Sequence, residues 1–239
     1  MSERERPEAH GDPREPGRAS VSRVLSREQA RAFYDRFGAK QDTQRFYEDP
    51  ATRDLVAHAD LKSAEHVFEF GCGTGRFAHD ILSHHLPPGA SYRGGDLSST
   101  MVRLARERLM PFGERAKLEQ SDGSPWIHAP DASLDRLISN YVLDLLSEED
   151  MRLFVADAHR ALKPEGRLCL VSLTWGSTPL SRLVTWGWVR IHALRPSLVG
   201  GCRPIELLDL LPDTSWRIEH RNVLTPFGVP SEIVVAAKL

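Results

Sequence analysis

The chain is poor in cysteine, lacks long apolar runs and carries almost no net charge, and each shortage removes a class of function. Its three cysteines, Cys72, Cys169 and Cys202, are too far apart for a zinc knuckle or a CxxC pair. An odd number of them also cannot close a disulfide framework, so a reduced, cytoplasmic setting is the simplest reading. A membrane span needs about 20 apolar residues. The longest uncharged stretch, residues 168–181, is shorter than that and contains Ser, Thr, Gly and Pro. The N-terminus shows no apolar segment of the kind a secretory signal needs. With 31 basic and 33 acidic residues the net charge is -2, which gives no nucleic-acid signature. HExxH is absent and no other His/Cys cluster has ligand spacing, so no metal is expected.

What is present is an alternation of strand and helix signals. The first 20 or so residues mix charges of both signs with proline and glycine and read as a disordered tail, with order beginning at Ser26. Ser26 and Gln29 form a capping-box pattern, and Ala30, Phe33, Tyr34 and Phe37 follow at helical spacing. Residues 46–60 predict a second helix. Strands are predicted at 66–70, 91–96, 117–120, 134–140 and 167–173, with helices between them at 76–86 and from Ser98 or Ser99 to about 109. Ser147 caps a further helix whose first turn carries Glu148, Glu149 and Asp150, matching the helix dipole, and 164–166 should end it. This repetition predicts a parallel sheet covered on both faces. Residues 216–224 and 232–238 read as two more strands. The link between them is too short for a helical crossover, so they should be antiparallel neighbours.

The segment Val67-Phe68-Glu69-Phe70-Gly71-Cys72-Gly73-Thr74-Gly75 sits where the first strand turns into a helix. Glycines there permit a tight turn and close backbone approach, and a helix N-terminus offers free N–H groups. The spacing is GxGxG, with Arg76 where a dinucleotide fingerprint has its third glycine, and no GK[ST] follows, which excludes a P-loop. Asp96 follows the second strand, where a carboxylate can accept hydrogen bonds from ribose hydroxyls. That requirement fits any adenosine-bearing ligand, NAD included.

Five segments in order resemble the motifs of the class I S-adenosylmethionine (SAM)-dependent methyltransferase family: VFEFGCGTGRFA, GGDLSSTMVRLARERL, SDGSPW, LDRLISNYVLDLL and RALKPEGRLCLVSL. The resemblance implies a Rossmann-like, seven-stranded, mostly parallel sheet with an antiparallel C-terminal strand pair, helices on both faces and a helical lid. It implies SAM as cofactor. Glu69 would orient the glycine turn and the methionine amino group. Gly71, Gly73 and Gly75 would bring backbone to the cofactor, and Asp96 would hold the ribose. Leu97 and Met101 would flank the adenine, and Asp122, beside Gly123, would meet its amino group. Asn140 and Tyr141 would line the methyl-transfer end, with Asp144 nearby, and the helix carrying Tyr34 would close over the mouth. The expected organisation is a tail over 1–25, a helical cap over 26–60, a cofactor-binding core over 61–175, an acceptor lid over 176–212 and the final strands over 213–239.

The acceptor is expected to be a small or lipid-like molecule. The prolines of an N-P-P-Y motif are missing around Asn140, which argues against nucleic acid. Residues 166–205 contain five arginines and no Asp or Glu, and Trp186 and Trp188 stand among them. Such a mixture suits a lipid surface or an apolar acceptor with an anionic end. The segments LVGGCRPIELL and GVPSEIVVAAKL resemble bacterial quinone and phospholipid methyltransferases. The expectation is therefore a cationic, aromatic cap carrying Trp186 and Trp188 over the methyl end, on a monomer or weak homodimer able to touch a membrane surface. Two alternatives stand beside it: a SAM-binding module without turnover, and an NAD-dependent oxidoreductase.

Overall fold

A computed structural model of the chain describes residues 24–239. The expected tail lies outside the described residues except for its last two positions. Strand β1 (His66–Phe70) buries successive residues from Val67 to Phe70, as a strand covered on both faces must. It pairs in parallel with β2 (Ser91–Asp96) on one side and β4 (Leu134–Asn140) on the other. β3 (Ala116–Gln120) lies outside β2, and β5 (Leu162–Leu173) outside β4, both parallel. β7 (Ser231–Lys238) then runs antiparallel between β5 and β6 (Trp216–Leu224). The order is β3-β2-β1-β4-β5-β7-β6. The chain reverses its winding between β1 and β4, and the crevice at the carboxyl ends of those strands is where open α/β sheets bind ligands.

Helices cover both faces because alternate strand residues point to opposite sides. On one face Phe68, Phe70 and Leu137 pack with Phe154 and Ala158 of α5 (Glu148–Ala161). On the other, Val67 and Ile138 pack with Leu55 of α2 (Arg45–His58) and Ile81 of α3 (Arg76–His84). The expected caps form. Ser26 and Gln29 make a reciprocal capping box at α1 (Arg27–Phe37), Ser98 caps α4 (Ser99–Leu109), and Ser147 caps α5. One boundary differs from expectation: α5 ends at Ala161, and the segment around Pro164 already belongs to β5. There the β4–β5 register shifts between Leu134 and Arg136, so the turn residues are absorbed as a bulge. The chain between β5 and β6 contains α6 (Pro179–Leu194) and two short 3-10 turns. Among the described residues no helix is long and apolar enough to cross a membrane.

Candidate active site

The glycine turn leaves β1 with left-handed backbone at Gly71, Gly73 and Gly75. Gly71 and Cys72 donate their N–H groups to the Gly95 carbonyl at 2.8 and 3.0 Å, which pins the turn to the end of β2. A side chain at Gly71 would put its Cβ 2.2 Å from a Val142 methyl, and one at Gly73 would lie 2.7 Å from Gln41 Oε1. Those two glycines keep the backbone bare at the crevice. Gly75 has a different task. It precedes α3, and a Cβ there would meet Ala105 of α4 at 3.0 Å, so it serves helix–helix packing and does not line the cleft.

Asp96 ends β2. Its carboxylate accepts from the Gly73 N–H at 2.9 Å and the Ser98 N–H at 2.8 Å, tying the glycine turn to the start of α4. Burial pushes its carboxyl up to about 6, against the pull of those two N–H groups. Glu69, one strand away, is fully enclosed and accepts from the Tyr92 hydroxyl at 2.6 Å; burial raises it to about 7. Both atoms of the Asn140 amide are buried without a well-formed hydrogen bond. Tyr141 follows in a left-handed conformation (φ 57°), rare for a bulky side chain, and its hydroxyl donates to Ser231 Oγ at 2.9 Å.

Gly71, Asp96, Asn140 and Tyr141 border a cleft of about 1070 Å³, open mouth included. One end is walled by Leu97, Ser121, Gly123, Trp126 and His128. The other is walled by Tyr34, Tyr141, Val142, Leu145 and Leu146. Val24, Leu25, Arg27 and Ala30 form the roof, so residues 24 and 25 belong to the cleft and not to a tail. The roof is held by Asp35, which accepts from Ser98 Oγ at 2.6 Å and the Thr100 N–H at 3.1 Å, and by a 3.5 Å ion pair between Arg27 and Asp150 across the mouth. A smaller recess of about 440 Å³ continues past Gly73 between Glu48, Glu69, Arg76 and Asn140. Desolvation raises Glu48 to about 7 although Arg76 lies 3.1 Å away.

Of the residues expected at the site, Tyr34, Gly71, Asp96, Leu97, Gly123, Asn140 and Tyr141 border the cleft, and Glu69, Gly73 and Asn140 border the recess. Others are elsewhere. Met101 is fully buried in α4, its N–H on the Ser98 cap. Asp122 is exposed and turned away, accepting from the Ser124 N–H at 2.8 Å and so shaping the loop that presents Gly123. Asp144 is fully buried outside the cleft lining. One of its oxygens has no partner, and burial raises it to about 7. Trp188 donates its indole N–H to the Cys202 carbonyl at 2.9 Å, and Trp186 is 60% exposed beneath the Arg190 guanidinium. Neither tryptophan reaches the cleft, so the expected cap of α6 over the methyl end is replaced by α1 and the residues before it. Gln41 was missed, and no local pattern marks it. It reaches Gly73 because its neighbour Asp42 accepts from Thr74 Oγ1 at 2.6 Å and Arg108 at 2.7 Å. Leu25 had a signal, being the apolar residue just before a capping box.

Far from the cleft, Asp54, His58 and His220 bring ligand-type atoms within 4.8 Å of one another. The imidazole rings stack in parallel at 3.5 Å, so their nitrogens lie in separate planes and cannot both aim at one ion as they stand. His220 already pairs with Asp54 at 2.8 Å.

Residues 67–166 match the model of a family described as a methyltransferase domain. That segment is similar to the methyltransferase domain of class I SAM-dependent methyltransferases. The chain is 34% identical over 132 residues to a trans-aconitate 2-methyltransferase of Paracidovorax citrulli, covering 53% of the chain and 46% of that protein. It is 32% identical over 117 residues to a carboxy-S-adenosyl-L-methionine synthase of Chromohalobacter salexigens, covering 48% and 43%. It therefore spans less than half the length of those relatives. The fold superposes on the [4+2]-cyclase SpnF with a TM-score of 0.66 at 15% identity, over 90% of this chain and 97% of that one. The family's cofactor is SAM, and the cleft fits such a molecule on its own evidence. A carboxylate faces a turn with no side chains, a buried amide lacks partners, and an acidic recess adjoins both.

Proposed function

We propose that the chain transfers the methyl group of SAM to a small or lipid-like acceptor. One arrangement carries the reading: the bare backbone at Gly71 and Gly73, flanked by Asp96 and the unpartnered Asn140 amide, opens directly onto an apolar chamber. In this reading the Asp96 carboxylate keeps lone pairs for two ribose hydroxyls while its other contacts hold the turn. Leu97, Gly123 and Trp126 enclose the adenine. Glu69 and Asn140 receive the methionine ammonium, and Arg76, at the far end of the recess, faces the carboxylate.

The bound sulfonium supplies an activated methyl group, which leaves the protein mainly to position and to dry the reactants. Tyr141, Val142, Leu145 and Leu146 give the acceptor an apolar seat. Residues 24–30 cover it, and Tyr34 closes one side. Burial raises both Tyr34 and Tyr141, so at neutral pH their hydroxyls are protonated and act as positioning groups. An acceptor atom that is already unprotonated therefore suits the chamber best.

A second reading, SAM binding without methyl transfer, is favoured by the make-up of the acceptor seat, where Tyr141, Val142, Leu145 and Leu146 bring no carboxylate or imidazole. The two separate in one experiment: S-adenosylhomocysteine accumulating with a methylated product supports transfer, whereas tight binding with no turnover across acceptor pools supports the alternative. Stabilisation of the chain by NADH but not by SAM would instead return the oxidoreductase reading.

A further inference from the structure

Helix α6 is turned inside out. Its buried residues are Ser181, Thr185 and His192. Its exposed ones include Leu180, Leu183, Trp186, Ile191 and Leu194, between 43% and 79% accessible. At about 100° per residue these five fall within an arc of roughly 140°, and the three buried polar residues occupy the opposite side. The inversion is built in. Ser181 and Thr178 close a reciprocal capping box, Thr185 Oγ1 donates to the Ser181 carbonyl at 2.8 Å, and His192 Nε2 lies 3.1 Å from the Gly201 carbonyl. The polar side faces inward, with His192 Nδ1 left without a partner, and the apolar side has been left out. Phe227 (77% exposed) extends the patch: Gly228 beside it lies against Leu180 and Val184, and Phe227 packs edge-on to exposed Phe46 at 5.4 Å.

We propose that this face docks on the surface of an anionic lipid bilayer. The charge around it selects that occupant. Arg190 and Arg195 are exposed on α6 or at its end, and exposed Arg45 stands next to Phe46. A second copy of the chain would set these cations against themselves, whereas lipid phosphates match them. The Arg190 guanidinium lies 5.5 Å from the centre of the Trp186 ring. An aromatic body with a cation beside it is suited to the headgroup boundary, where an amphipathic helix sits about 5–10 Å deep.

The face also leads to the cleft. A groove lined by Leu194, Pro196 and Phe33 shares Val24 and Leu25 with the cleft itself. A lipid-like acceptor could leave the bilayer at Leu194 and meet the roof of the chamber. That route rests on the methyl-transfer reading; the docking does not.

The test is cosedimentation of the full chain with vesicles of neutral phosphatidylcholine, and of phosphatidylcholine mixed with phosphatidylglycerol, at about 0.1 M salt. The expected result is at least tenfold stronger partitioning to the anionic vesicles, weakened by salt. Leu183→Ser, Trp186→Ser and Leu194→Ser together should reduce it about a hundredfold. Arg190→Glu with Arg195→Glu should remove the preference for anionic lipid. Unchanged melting temperatures keep these variants interpretable, since all five side chains are exposed. Equal sedimentation with and without lipid would overturn the proposal, as would binding that the triple variant leaves intact. A wild-type dimer in sedimentation equilibrium that the triple variant dissolves would also overturn it, assigning the face to a second copy.

Discussion

Replacing Asp96 with asparagine tests the cofactor reading at its hinge. The carboxylate accepts from two backbone N–H groups, at 2.9 and 2.8 Å, from opposite sides of the crevice. Asparagine keeps one acceptor oxygen but sets an NH2 group against the other N–H, so one charge-assisted bond is lost inside the protein. Hydrogen bonds to charged groups are worth about 1.5–3 kcal/mol. In the ligand-free chain that loss is offset by removing a buried charge that burial disfavours, so the melting temperature should change little. Replacing the charged acceptor of the ribose hydroxyls should cost about 2 kcal/mol in binding, about a thirtyfold loss of affinity. Titration calorimetry with S-adenosylhomocysteine, beside a thermal melt, reads both quantities. A second condition sharpens the test. With Asp96 held near 6, it is ionised at pH 7.5 but largely protonated at pH 5, so the wild type and the variant should converge in affinity as pH falls. A variant that binds as tightly as the wild type at pH 7.5 would refute the ribose assignment. A loss that stays constant down to pH 5 would show that the effect is structural.

The enclosed carboxylates give a pH dependence of stability. Asp96 lies at about 6, and Glu69 and Glu48 at about 7, all above the unfolded value of about 4. The folded chain thus binds protons the unfolded chain has released. The stability this contributes is full below about pH 4 and is lost as pH rises through 6 and 7. Urea titrations of the ligand-free chain should show that decline, and a rise in its place would contradict the burial argument. Gly71→Ala combines a φ of 79° with a Cβ 2.2 Å from Val142, so it should lose about 2 kcal/mol or more and most cofactor affinity; normal melting and binding would place the turn elsewhere. Deleting residues 1–22 should leave S-adenosylhomocysteine affinity unchanged, and deleting 1–40 should weaken it at least tenfold by removing the roof and Tyr34. Equal affinity in the two truncations would show that the roof makes no contribution.

The strands and helices were readable because each carried its own punctuation. The Ser26, Ser98 and Ser147 caps, the glycines after β1 and the prolines after α3 sit where the chain changes direction. The antiparallel end followed from the short link between β6 and β7. The site was readable where function is set by the backbone, as at Gly71, Gly73 and Asp96. It was not readable where function depends on which way a side chain turns. Composition marked residues 166–205 as cationic and aromatic, but not that α6 turns its polar residues inward. Trp186 and Trp188 were therefore expected over the cleft, and they lie away from it. Asp122 occupies a motif position, yet a local turn to Ser124 takes its carboxylate out of the crevice. Gly75 sits in the glycine run, yet Ala105 is what requires it. Gln41 arrives through Asp42, Thr74 and Arg108, a contact between segments more than 30 residues apart that no single stretch announces.

The central claim, methyl transfer from SAM bound at the glycine turn, is tested most directly by label. The full chain is incubated with SAM carrying an isotopically labelled methyl group and with pooled small-molecule and lipid extracts, and products are read by mass spectrometry beside S-adenosylhomocysteine. The expected result is a labelled acceptor in a small-molecule or lipid fraction, formed in step with S-adenosylhomocysteine and strongly reduced in Asp96→Asn. Tight SAM binding with no labelled product in any fraction would contradict the claim and leave the chain a binding protein on a methyltransferase fold.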